Sequence, residues 1–104
     1  MSDTFSIKVE NGVAGLSLIP ILDMSVAEEL LMSFRECTTL SKDVTIDSEG
    51  VERISTPCVQ VMLAASIDVE ANGGKFSIKN TSSGFERGMR DLGLSEYLDN
   101  WSKN

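Results

Sequence analysis

Apolar residues fall at every second position in Phe5-Ser-Ile7-Lys-Val9-Glu10, Asn11-Gly12 interrupts, and a similar alternation resumes through Val13, Leu16, Leu18 and Ile19. Period two on both sides of an Asn-Gly pair predicts a β-hairpin, which Pro20 ends. After Leu22-Asp23-Met24, apolar residues at Val26, Ala27, Leu30, Leu31, Phe34 and Cys37 follow the three-and-four spacing of a helix, with Ser25 and Glu28 placed as a capping box. A polar connection, Thr38 to Asp43, leads to a short central strand, Val44-Thr-Ile46. The next helix is predicted from Thr56 to about Glu70, where Asn72-Gly73-Gly74 ends it. It is apolar on nearly every side, which predicts burial of Met62, Leu63, Ile67 and Val69. Lys75 to Lys79 alternates again as a strand, followed by two short helices separated by Gly93. One begins near Ser83 with Phe85, Met89 and Leu92 turned inward, and Leu94, Tyr97, Leu98 and Trp101 mark the other. Phe85, Tyr97 and Trp101 are expected to clamp this pair. Helices alternating with strands after one hairpin imply an α/β fold whose sheet contains parallel pairings.

Thr56-Pro57 carries the clearest candidate chemistry. Threonine is a good N-cap, and proline suits the first helical position because it has no N–H to lose. The sequence therefore predicts Thr56 as the cap, Pro57 as the first helical residue, and a hydroxyl held at the positive end of a helix. A phosphate placed there would be stabilised by the helix dipole and its unpaired N–H groups. A structural role alone, contributing roughly 1 kcal/mol of helix stability, is the competing reading. Asp23 and Asp47 read as turn or helix caps, the commoner fate of Asp at element ends, and Ser55 as a turn hydroxyl.

Composition removes several function classes. At 104 residues the chain is expected to form one domain spanning 1–104, able to bury about two-thirds of its unfolded surface. Cys37 and Cys58 lack CxxC spacing and lie in or beside apolar helical runs, so they read as buried free thiols of a reducing compartment. With no histidine, the usual general bases and nucleophile activators are missing. Gly84, Gly88 and Gly93 are too widely spaced for a GxGxxG loop, and no phosphate-binding lysine motif follows a strand. Neither an enzyme nor a cofactor or metal site is expected. Net charge of −7 argues against nonspecific nucleic-acid binding or attraction to an anionic membrane, and favours protein partners. No apolar run approaches the ~20 residues that span a bilayer, and a cytoplasmic location is expected.

The element order, together with Asp47-Ser-Glu-Gly50-Val51-x-x-Ile54-Ser55-Thr56-Pro57-Cys58 and the Leu22-Asp23 pair before the first helix, resembles the STAS domain of bacterial anti-sigma factor antagonists. The resemblance covers nearly the whole chain and implies a mixed four- to five-stranded sheet packed against about four helices. It places Thr56 on the family's phosphorylatable Ser or Thr, with Ser55 as second choice. It also implies a partner surface around the helix start that takes in Asp23, Asp47, Ser55, Thr56, Pro57 and Gln60. The implied partner is a serine kinase acting as anti-sigma factor, whose docking phosphorylation would disrupt. Three positions depart from the family pattern: Ser55 stands where Asp is usual, Pro57 replaces a small residue, and Cys58 replaces Gly. Similar small STAS proteins bind a chemotaxis histidine kinase, and the Cys58 to Ala65 wording looks most like that type. Others are constitutive subunits of lipid-transport ATPases.

Overall fold

Two strands, Ser6–Glu10 (β1) and Val13–Ser17 (β2), pair antiparallel around Asn11-Gly12. Both turn residues take positive φ, 53° and 79°, the signature of a type I′ turn whose twist matches its strands. The computed structural model describes residues 4–103. Along β2, Ala14 and Leu16 are buried and their neighbours are not, as the alternation requires. A two-residue strand, Ile21–Leu22 (β3), and a 3-10 turn, Met24–Val26, lead into α1 (Ala27–Leu40). The chain then forms β4 (Asp43–Asp47), β5 (Arg53–Ile54), α2 (Thr56–Ala71), β6 (Phe76–Lys79), α3 (Ser83–Asp91) and α4 (Ser95–Lys103).

Strands β1, β2, β4 and β6 form one sheet in that order. Strand β4 lies between β2 and β6 and runs parallel to both. Parallel neighbours need crossover connections, which α1 and α2 supply. One sheet face presents Ala14, Leu16, Val44, Ile46, Phe76 and Ile78, all buried. The other carries Lys8, Glu10, Thr45, Ser77 and Lys79, none of them buried. The expected mixed sheet with four helices is therefore what forms, its helices gathered on one face.

Phe76 anchors the core beneath the helices, with its ring 5.9 Å from Phe34 and 5.0 Å from Trp101, the latter edge-on. Trp101 is buried and clamps α4 to β6, whereas Tyr97, 6.3 Å from it, is exposed. Both cysteines are buried free thiols.

Further expectations need correction, and Leu92, expected to turn inward with Phe85 and Met89, is 41% exposed. Asp23, not Ser25, caps the turn before α1: the Ser25 N–H and hydroxyl both donate to Asp23 Oδ1, and α1 starts after Val26 without a side-chain cap. Ile67 is 62% exposed, so α2 is apolar beyond its buried side. Strands β3 and β5 pair with each other as a separate two-stranded ladder, too short to leave a periodic signal.

Candidate functional site

The β3–β5 ladder builds the start of α2. Ile21 pairs with Arg53 and Leu22 with Ile54. The Ser55 N–H then donates to the Leu22 carbonyl at 2.8 Å, and the Cys58 thiol to the Asp23 carbonyl at 3.2 Å. These bonds bring Asp23, far away in sequence, beside Ser55 and the first turn of α2. Arg53, Ile54 and Ser55 share a shallow depression with Ile21, Leu22 and Asp23.

The cap lies one residue earlier than the sequence predicts. The Ser55 carbonyl accepts the first helical bond, from the Val59 N–H at 3.0 Å, and Ser55 has the extended backbone of an N-cap. Thr56 is thus the first helical residue and Pro57 the second. The Ser55 hydroxyl does not cap: it is buried without a hydrogen-bond partner among the described residues. It stands near the Cys58 thiol without completing a bond of normal geometry. Burial pushes that thiol's pKa up, the Ser55 hydroxyl offsets this in part, and the Asp23 carboxylate adds to the rise.

Thr56 is exposed, and the first turn of α2 contains no acidic residue. The helix's initial N–H groups lack intrahelical acceptors, so its positive end faces the solvent around this hydroxyl. Arg53, exposed on β5, adds a cation nearby in the chain. Pro57 and Gln60 line an apolar groove between α1 and α2 with Ala27, Leu31, Val61 and Ala64. Glu28 sits in that lining as its one charged residue, and Met24, 71% exposed, lies in the 3-10 turn just before α1.

Five of the six expected partner-facing residues, Asp23, Ser55, Thr56, Pro57 and Gln60, therefore lie in or beside the two depressions. Asp47 is set apart: its Oδ1 accepts from the Glu49 N–H at 3.0 Å and its Oδ2 from Asn80 Nδ2 at 3.3 Å. That is a turn-capping geometry at the end of β4. Arg53, Met24 and the groove residues Leu31, Val61 and Ala64 join the candidate surface without having been singled out in the sequence. Pro57, Val61 and Ala64, spaced along one side of α2, are the available signal, and such spacing reads equally well as core. Among the described residues, no three of His, Cys, Asp and Glu gather as a metal site.

Comparison with known proteins accords with this architecture. The family model described as "Mlab, STAS domain" matches residues 7–99. No curated protein matches by sequence. Among solved structures, the chain is similar to the anti-sigma factor antagonist SpoIIAA in its unphosphorylated form, at 17% identity over 94% of this chain and 84% of that one, TM-score 0.75. The phosphorylated form of the Bacillus SpoIIAA matches at 17% identity over 94% and 87%, TM-score 0.71. An anti-sigma factor antagonist from Mycobacterium paratuberculosis matches at 19% identity over 91% and 81%, TM-score 0.77. At these identities the structural likeness is one of fold. The family match runs from β1 into α4, and on it the chain belongs to the STAS domain family.

Proposed function

We propose that residues 1–104 act as one non-catalytic regulatory module that docks a protein partner through the N-terminal edge of α2, and that phosphorylation of Thr56 switches docking off. The observation that carries this reading is an exposed Thr56 at the positive end of a 16-residue helix, its chain neighbours lining two depressions, Pro57 the apolar groove and Ser55 the one shared with Asp23. Apolar surface beside a polar rim is what a specific interface needs. A phosphate on Thr56 brings nearly two negative charges and a tightly held hydration shell into that surface, and a partner closing over it would have to strip the shell away. The partner class is a serine kinase of the anti-sigma factor type, working in the cytoplasm without nucleic acid or membrane insertion. Similarity in fold to an antagonist solved in both unphosphorylated and phosphorylated forms supports the switch.

Incubation with serine kinases of that type and ATP, followed by peptide mapping, tests it: phosphate is expected on Thr56. Phosphate elsewhere, with partner binding undiminished, contradicts the switch.

A second reading, constitutive docking without phosphate, rests on Ser55. Family members usually carry Asp there, whereas this chain has a buried hydroxyl, and Oδ1 of the nearby Asp23 is already occupied by Ser25. Under this reading the chain is a fixed subunit, of a chemotaxis kinase or a lipid-transport ATPase. Thr56→Glu still weakens partner capture, but the protein isolated from cells carries no phosphate.

A further inference from the structure

The outer edge of β1 is self-complementary, and we propose that it joins two copies of this chain into a continuous eight-stranded sheet. Strand β1 ends the order β1-β2-β4-β6, and four of its five residues are exposed. The type I′ turn makes Glu10 and Val13 its closing hydrogen-bonded pair. Alternation then directs the N–H and C=O groups of Lys8 and Ser6 toward β2, and those of Val9 and Ile7 outward, away from the sheet. Val9 is also 46% exposed, a large apolar side chain at an open edge.

An antiparallel seam on a two-fold axis through Val9 uses these features together. The two Val9 residues exchange backbone hydrogen bonds and bring their side chains together. Lys8 then lies directly opposite Glu10 of the second copy, and Glu10 opposite its Lys8, all four on the open sheet face. Among the described residues neither side chain has an ion-pair partner; the ion pair formed there is Glu86–Arg90. Sliding the seam by two residues, so that Ile7 faces Val9, sets Lys8 against Lys8. Opposite charges across a strand pair stabilise it and like charges destabilise it, so charge selects the Val9-centred register. Edge-strand lysines also serve as guards against association, and a monomer would be the mark of that role. The seam lies on β1 and does not depend on the reading of Thr56.

Sedimentation equilibrium at low salt and up to millimolar concentration tests the seam. The wild-type chain is expected to dimerise reversibly. Lys8→Glu and Glu10→Lys alone, both at exposed positions, are each expected to weaken the dimer by roughly tenfold or more, because two attractive pairs become repulsive. An equal mixture of these two variants restores both opposite-charge contacts and is expected to form a heterodimer at least as readily as the wild type. The double variant K8E/E10K is expected to dimerise like the wild type even where a single variant folds poorly. A wild-type monomer throughout the range, or a dimer indifferent to the single reversals, overturns the proposal.

Discussion

Ser55 and Ser82 occupy the same formal position, one residue before a helix, yet their hydroxyls do different things. Ser82 Oγ accepts from the Phe85 N–H at 3.0 Å and donates to the Val51 carbonyl at 2.6 Å, so it both caps α3 and ties that helix to the segment leading into β5. Ser55 Oγ is buried and has no hydrogen-bond partner among the described residues. Ser82→Ala is therefore expected to cost about 1–2 kcal/mol, whereas Ser55→Ala costs less than ~0.5 kcal/mol. Urea denaturation of the two variants measures the difference, and equal losses would contradict the assigned geometry. The same contrast explains why the cap of α2 was misplaced from the sequence. Adjacent Ser55 and Thr56 are both favourable caps by type, and Pro57 suits either placement within the first turn. The choice is made by the Leu22 carbonyl, which takes the Ser55 N–H and leaves Thr56 to begin the helix. Asp23 displaced Ser25 in the same way, by a bond between neighbours whose relative strength no spacing rule ranks.

At the scale of elements, α3 sets the position of the strand that delivers Ser55 and Thr56. Gly84 and Gly88, one turn apart, let the α3 backbone lie directly against residues 51–54. A Cβ on Gly84 would fall 2.4 Å from the Glu52 carbonyl oxygen, and one on Gly88 would fall 2.5 Å from Ile54 Cγ1. A backbone oxygen cannot move aside as a side chain can, so Gly84→Ala is expected to destabilise by about 2–3 kcal/mol. Gly88→Ala meets a side chain that can shift and gains about 1 kcal/mol of helix propensity, leaving a net cost below ~1 kcal/mol. Thermal denaturation should rank the two variants in that order; the reverse ranking would mean that α3 sits differently on β5. The long periodic elements, the hairpin, α1, α2 and β6, are legible in the sequence because each buries a face large enough to pattern it. Strands β3 and β5, with two residues each, offer no period to read, although they are what aligns Asp23 with the start of α2. The exposure of Ile67 is illegible for the opposite reason: α2 has apolar residues beyond those it buries, and composition does not separate Ile67 from Met62 and Val69.

Over the whole molecule, the helices cover one sheet face and hold both thiols beneath them. Burial, reinforced by the Glu36 carboxylate, raises the Cys37 pKa from 9.0 to about 11. Because the folded state holds this proton more tightly than the unfolded state, its contribution is fully present below pH ~9 and is lost as pH rises toward ~11, with roughly 2–3 kcal/mol at stake. Denaturant titrations across that range are expected to show the fall, and Cys37→Ala is expected to flatten it. An unchanged slope in the variant would place the alkaline loss elsewhere. This core gives the molecule a frame that presents the N-terminal edge of α2 at its surface, the edge at which docking is proposed. Calorimetric titration of a serine kinase of the anti-sigma factor class into the wild-type chain, Thr56→Ala and Thr56→Glu tests it most directly. Removing the hydroxyl is expected to leave affinity within a few-fold of wild type, and placing a carboxylate there to weaken it by tenfold or more, about 1.4 kcal/mol. Equal affinity for the Glu variant and the wild type would contradict docking at this edge.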